Sequence, residues 1–185
     1  MSDWTSLFDG QSLTGWKEAP FSRRGNVSVR NGVIVLGRGS MTGIAWTGAP
    51  FPRSNYEVRF EAARLEGKDF FAALTFPAGD SFCTWVNGGW GGETVGLSNV
   101  DGYDAAENET STVRDFARGE WYAFRLRVTP KRIEAWIDDR PVIDVDLTVH
   151  KVDLRFDDID LCKPLGFASY ATEGAVRKIE LRRLV

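Results

Sequence analysis

Histidine is almost missing from this 185-residue chain: His150 is the only one. A histidine-rich zinc or iron centre is therefore excluded from a single copy, and His150, in a turn-like stretch, is expected simply to be exposed. Cysteine is nearly as scarce. Cys83 and Cys162 lie far apart without a metal-type spacing and read as two independent, partly buried thiols rather than a disulfide. No apolar run is long enough to cross a bilayer. The opening MSDWTSLFDG has neither a basic region nor an apolar stretch of the kind that directs secretion, so the chain as given is expected to be cytoplasmic, or exported if a leader has been removed. Basic runs interleaved with aromatics are absent and the isoelectric point is near 5.3, which argues against a nucleic-acid partner. There is no Gly-x-Ser-x-Gly elbow, and Gly37-Arg38-Gly39-Ser40 does not run into a helical pattern, so neither a serine hydrolase nor a phosphate loop is indicated.

The most informative absence is local. From Asp69 to Val113 there is no basic residue, while seven are acidic. A segment of −7 in a chain of net charge −3 leaves the remainder at +4. Inside it, Trp85–Thr110 (WVNGGWGGETVGLSNVDGYDAAENET) holds six glycines, two tryptophans, one tyrosine and five carboxylates. That glycine load rules out an ordinary helix, and a solvated loop seldom carries two tryptophans.

Elsewhere the pattern is that of strands. Tyr56, Val58, Phe60 and Ala62 alternate with Glu57, Arg59 and Glu61, and Tyr122, Phe124, Leu126 and Val128 alternate with Arg125 and Arg127. Asn31-Gly32 between Asn26–Arg30 and Val33–Leu36 is a strong hairpin signal. Asp138-Asp139 turns Ile133–Ile137 into Pro141–Val145. Phe70–Phe76, Leu165–Ala171 and Val176–Leu184 supply further strands. No linker or repeat interrupts them, so residues 1–185 form one all-β domain, a sandwich or barrel.

The opening Leu7-Phe8-Asp9-Gly10 with Leu13-Thr14-Gly15-Trp16, then Trp121 leading into Arg125–Val128, Ile133-Glu134-Ala135-Trp136-Ile137-Asp138 and Ile179-Glu180-Leu181-Arg182-Arg183-Leu184, resembles the 3-keto-disaccharide hydrolase family, long catalogued as domain of unknown function 1080. The resemblance covers nearly the whole chain in order. It implies a concanavalin A-like jelly roll of two antiparallel sheets with a site on the concave face, and activity on glycosides oxidised at C3, or at least sugar binding. In the middle the chain departs from the family's Glu-x-Gln-Ile-x-Asp strand: Val95 stands where glutamine would, and Asp101 is displaced along the chain. The marks here are Gly88-Gly89-Trp90-Gly91-Gly92 and Glu107-Asn108-Glu109-Thr110.

Cleaving a 3-oxo-glycoside needs a base for the C2 proton, made acidic by the ketone, and help for the departing C1 substituent. A carboxylate pair can supply both. Glu93, Asp101, Asp104, Glu107 and Glu109 are the available groups, with Glu93, Asp101 and Glu107 the candidates for acid–base work. Trp85, Trp90 and Tyr103 are candidates for stacking on a pyranose, and Asn87 and Asn99 for bonding its hydroxyls. Against these stand quieter readings: Trp85 as core, Trp90 as lid packing, and the acids as a solvated loop or an ion-pair network with Arg114 and Arg118. Any cation would be a hard one, calcium, magnesium or manganese, held by oxygens. Asn108-Glu109-Thr110 fits a glycosylation sequon but reads as chance. Two functions follow: a hydrolase or lyase of oxidised glycosides, or a non-catalytic carbohydrate-binding or interaction module on the same fold.

Overall fold

The computed structural model describes residues 3–184. Its strands, in chain order, are β1 (Thr5–Ser6), β2 (Trp16–Glu18), β3 (Val27–Arg30), β4 (Val33–Leu36), β5 (Met41–Trp46), β6 (Tyr56–Glu66), β7 (Ala73–Ala78), β8 (Ser81–Gly89), β9 (Thr94–Ser98), β10 (Thr112–Val113), β11 (Tyr122–Val128), β12 (Arg132–Ile137), β13 (Arg140–Asp146), β14 (Gly166–Tyr170) and β15 (Glu173–Arg183). Sheet A has the order β13-β12-β11-β6-β15-β4-β3, with β1 added against β15; sheet B has the order β10-β9-β8-β7-β14-β5-β2. Neighbouring strands in both sheets pair antiparallel, and the two sheets pack face to face as the jelly roll the family resemblance implied.

Period-two patterning places the core between them. The inward residues of β6 and β11 meet Trp85 of β8 and Phe167 of β14: Phe60 stacks on Phe124 at 5.0 Å between centroids, and its edge meets Phe167 at 4.8 Å. Trp85 packs edge-on against Phe124 at 5.6 Å. Each such aromatic pair adds roughly 0.5–1.5 kcal/mol beyond its buried area. The hairpin turns form where the local chemistry asks for them: Asn31 (φ 53°) and Gly32 (φ 78°) join β3 to β4, and Asp138 (φ 50°) and Asp139 (φ 65°) join β12 to β13.

The outward face of sheet A is more covered than its alternation suggests. Glu57, on the outward face of β6, is fully buried because Arg125 (3.3 Å), Arg127 (2.6 Å) and Arg182 close over it. Tryptophans roof this layer: Trp136 lies 3.9 Å from the Arg125 guanidinium, and Trp4 lies 4.0 and 4.5 Å from those of Arg59 and Arg182. Burial pushes the Glu57 carboxyl up, but the hydrogen bonds from Arg182 and Arg127 outweigh it and leave the group below the usual glutamate range.

Sheet B is covered differently on its outer face. A second, smaller apolar cluster of Ala19, Phe21, Ile159, Cys162 and Ala168 fastens a short 3-10 helix, Asp158–Cys162, across part of that face. Cys83 and Cys162 are free thiols and are fully rather than partly buried, and burial pushes the Cys162 thiol up to about 12. The uncovered part of the outer face is where the cleft lies.

Candidate functional site

Alternation decides which side chains of sheet B reach the cleft. On β8, Cys83, Trp85 and Asn87 point into the core, so Thr84 and Val86 point the other way and form the floor with Ala73 of β7, Ser98 of β9 and Met41 of β5. One wall consists of Asp69, Phe70, Trp90 and Tyr170, and the other of Arg155, Asp157, Asp158 and Ile159. The cleft encloses about 400 Å³, within the range of small-ligand sites.

Trp90 is delivered by a β-bulge. The β8–β9 register shifts between Asn87 and Gly89, the Gly92 N–H bonds the Gly89 carbonyl at 3.1 Å, and Trp90 sits at the tip with φ 47°. A side chain at Gly88 (φ 80°) would meet the Arg64 guanidinium at 2.5 Å, so only glycine lets the chain pass there. The Gly91 N–H bonds the carboxylate of Asp69 at 3.2 Å, tying the tip to its own wall. Trp90 is 42% exposed and lies 5.6 Å from the Arg155 guanidinium. Tyr170, 46% exposed, stacks on Phe70 at 5.9 Å. Two aromatic faces thus border one cleft.

The opposite wall starts where the Arg155-Phe156-Asp157-Asp158 stretch leaves the sheet. Asp157 caps the 3-10 helix by accepting the Ile159 N–H at 2.9 Å and faces Arg155 at 3.5 Å. Asp69 accepts the N–H groups of Phe70 and Gly91. Asp158 differs from both: its carboxylate has no hydrogen-bond or ion-pair partner among the described residues. Phe156, between the wall residues, is wholly exposed.

Of the residues picked out by sequence, Trp90 lines the cleft and the others do not. Trp85 is a central core residue, and Asn87 is also fully buried on the core side, because both share the inward phase of β8. Glu93 is exposed beyond the β8–β9 turn, and Glu107 is exposed in the 104–111 loop. Tyr103, 60% exposed, sits in a turn closed by Val100. The Asn99 main chain pairs with Asp153 (2.6 and 3.2 Å), and its side chain accepts the Ser98 hydroxyl. The Asn108 amide donates to the carbonyls of Leu97 (2.6 Å) and Tyr103 (3.0 Å), so the sequon asparagine is committed within the fold.

Asp101 goes to His150 rather than to the cleft. Its Oδ2 lies 2.5 Å from His150 Nδ1, its Oδ1 accepts the Lys151 N–H at 2.9 Å, and Glu109 takes the other ring nitrogen at 2.7 Å. The bond from His150 leads, with the Lys151 N–H behind it, in holding Asp101 below the usual aspartate range; the bond to Asp101 raises His150. This clasp, with the Val100–Val152 bridge, fixes the segment that continues into the Arg155 wall. Among the described residues, no three His, Cys, Asp or Glu side chains come together as a metal-holding group.

Sequence reading missed Asp69, Tyr170, Arg155, Asp157 and Asp158. A usable signal was present in Arg155-Phe156-Asp157-Asp158, an exposed aromatic among charges in a stretch without strand alternation.

Solved structures share the whole fold. The chain superposes on a presumed glycosyl hydrolase from Parabacteroides distasonis with TM-score 0.63 at 14% identity, covering 98% of this chain and 94% of that one. The carbohydrate-binding module CBM66 from Bacillus subtilis gives 0.58 at 13% identity, covering 91% and 96%. The Crh5 transglycosylase, solved in complex with NAG, gives 0.65 at 12% identity, covering 100% and 85%. A sequence comparison with curated proteins finds no significant match. The model of the 3-keto-alpha-glucoside-1,2-lyase-like domain matches residues 3–182, and the chain belongs to that family.

Proposed function

We propose that the cleft binds a glycoside oxidised at C3 and cleaves it by elimination. The observation that carries this reading is that Trp90 and Tyr170 share one cleft with an unengaged carboxylate, Asp158, and a cation, Arg155. The C–H face of a pyranose fits an aromatic wall, and the Ser98 and Thr84 hydroxyl oxygens on the floor, already bonded to Asn99 and Thr75, can still accept from its hydroxyl groups. Asp158 takes the C2 proton. The electron pair released forms the C1–C2 double bond as the C1–O bond breaks, and the departing alkoxide is protonated by water. Arg155 faces the C3 oxygen, where charge develops, and stabilises it there. Addition of water across the double bond then gives the free 3-oxo-sugar. Asp69 and Asp157, already bonded to main-chain N–H groups, hold the walls.

That same engagement favours a second reading. With two of the three cleft carboxylates spent on the backbone, the site also suits a module that binds sugar without cleaving it. A p-nitrophenyl 3-oxo-α-glucoside and its unoxidised parent separate the two. Release of nitrophenol from the oxidised glycoside alone supports elimination. Binding of either by calorimetry without release selects the binding module, and neither binding nor release overturns both.

A further inference from the structure

Arg64 occupies a core position. It continues the inward series Tyr56, Val58, Phe60 and Ala62 on β6, where the period calls for an apolar residue, and is only 7% exposed. Its guanidinium lies 5.2 Å from the Phe71 ring and forms no salt bridge with a carboxylate among the described residues. All its hydrogen bonds go to main-chain carbonyls. Nε and Nη2 donate to Asp69 (3.2 and 2.9 Å), Nη2 also to Gly88 (3.1 Å) and Gly92 (3.0 Å), and Nη1 to Phe116 (3.1 Å). Burial works against the charge, with Asp69 acting weakly in its favour. A well-packed apolar side chain would fill such a position without that cost, so packing alone does not explain the arginine.

What the guanidinium does is geometric. Gly88 and Gly92 are the two ends of the bulged tip that presents Trp90, and one nitrogen holds both carbonyls. The same group holds the carbonyl of Asp69, whose carboxylate reaches the cleft and bonds Gly91 at the tip. A planar fork can join three chain segments at fixed distances; a lysine ammonium, with three donors on a flexible stem, cannot reproduce it. We propose that Arg64 is the positioning residue of the cleft. From the core side it sets the Trp90 tip against the Asp69 wall, so that a saccharide meets a preformed aromatic face. The ligand part of this inference rests on the function proposed above; the mechanical part does not.

The test uses Arg64→Lys and Arg64→Met in the full chain. Amide hydrogen exchange is followed at residues 88–92 and, as reference, in β11, together with the affinity for p-nitrophenyl α-glucoside in both Trp90 and Trp90→Ala backgrounds. The expected result is exchange about tenfold or more faster at the tip with β11 unchanged. Affinity should fall by about tenfold when Trp90 is present and little further when it is already alanine, the non-additivity of a residue acting through another. Unchanged exchange at the tip in folded variants overturns the proposal. So does acceleration spread evenly over β11, or failure of both variants to fold, since either makes Arg64 a residue of the framework. Full additivity with Trp90→Ala also overturns it. If the native protein binds neither p-nitrophenyl α-glucoside nor its 3-oxo form, the function proposed above fails while the exchange result still decides the mechanical claim.

Discussion

His150 Nδ1 lies 2.5 Å from Asp101 Oδ2, and this contact joins the loop after β9 to the segment that becomes the Arg155 wall. Glu109 holds the other ring nitrogen, and Asp146 adds its charge nearby, while Lys151 lends its main-chain N–H to Asp101. The signs are opposite for the two partners. His150, raised above 6.5, contributes stability that is complete below that value and is lost as pH rises through the raised pKa. Asp101, lowered below 3.8, contributes stability that is complete above that value and is lost as pH falls through the lowered pKa.

The clasp therefore works best between those limits. The melting temperature of the native chain should exceed that of His150→Ala most clearly at about pH 5.5, and the gap should shrink towards about pH 9, where the neutral ring bonds only one carboxylate as donor. A gap independent of pH would show that the ring acts by packing alone.

Trp85 and Trp90 lie five positions apart but on different sides of sheet B, and alanine substitutions should separate them. Trp85→Ala removes the centre of the aromatic core and should destabilise the fold by about 3–5 kcal/mol in denaturant titration. Trp90→Ala should change stability by no more than about 0.5 kcal/mol while weakening saccharide binding by about tenfold or more, to a level that is still measurable. Similar stability losses for both would contradict the placement of Trp90 on the cleft.

Glu57→Gln tests the Arg–Trp layer over sheet A. Arg125, Arg127 and Arg182 would be left around a neutral amide, with an expected loss of about 3 kcal/mol, the low end for breaking a buried pair because the arginines keep some contact with water. In the native chain this contribution is present above pH 4.5 and is lost as pH falls through the lowered Glu57 pKa. A loss under about 0.5 kcal/mol would show that the arginines repack freely.

The fold was legible because its rules are local. Alternation at Tyr56–Ala62 and Tyr122–Val128, and turn chemistry at Asn31-Gly32 and Asp138-Asp139, each specify a strand or hairpin without reference to the rest of the chain. β5 escaped because Met41-Thr42-Gly43 breaks the alternation, although both faces are covered in the fold. The site was only partly legible. Trp90 could be found because glycines on either side of a tryptophan mark a presented tip. Asp69, the Arg155–Asp158 segment and Tyr170 come from three separate stretches, and their meeting depends on how the 150s segment folds back over sheet B, which no local spacing encodes. In the acidic segment Asp101 is bound to the one histidine, and Glu93 and Glu107 face solvent, so density of charge along the chain is not convergence in space.

The most direct measurement compares carboxylates of the cleft with those of the acidic loop in turnover of a p-nitrophenyl 3-oxo-α-glucoside. Asp158→Asn should lower kcat by a factor of about 100 or more, the share expected of a general base, with the melting temperature nearly unchanged because its carboxylate has no partner to lose. Glu93→Gln and Glu107→Gln should leave kcat within about twofold of the native chain, as exposed residues outside the cleft should. Full activity in Asp158→Asn, with turnover lost in Glu93→Gln or Glu107→Gln, would contradict the account and return the chemistry to the loop.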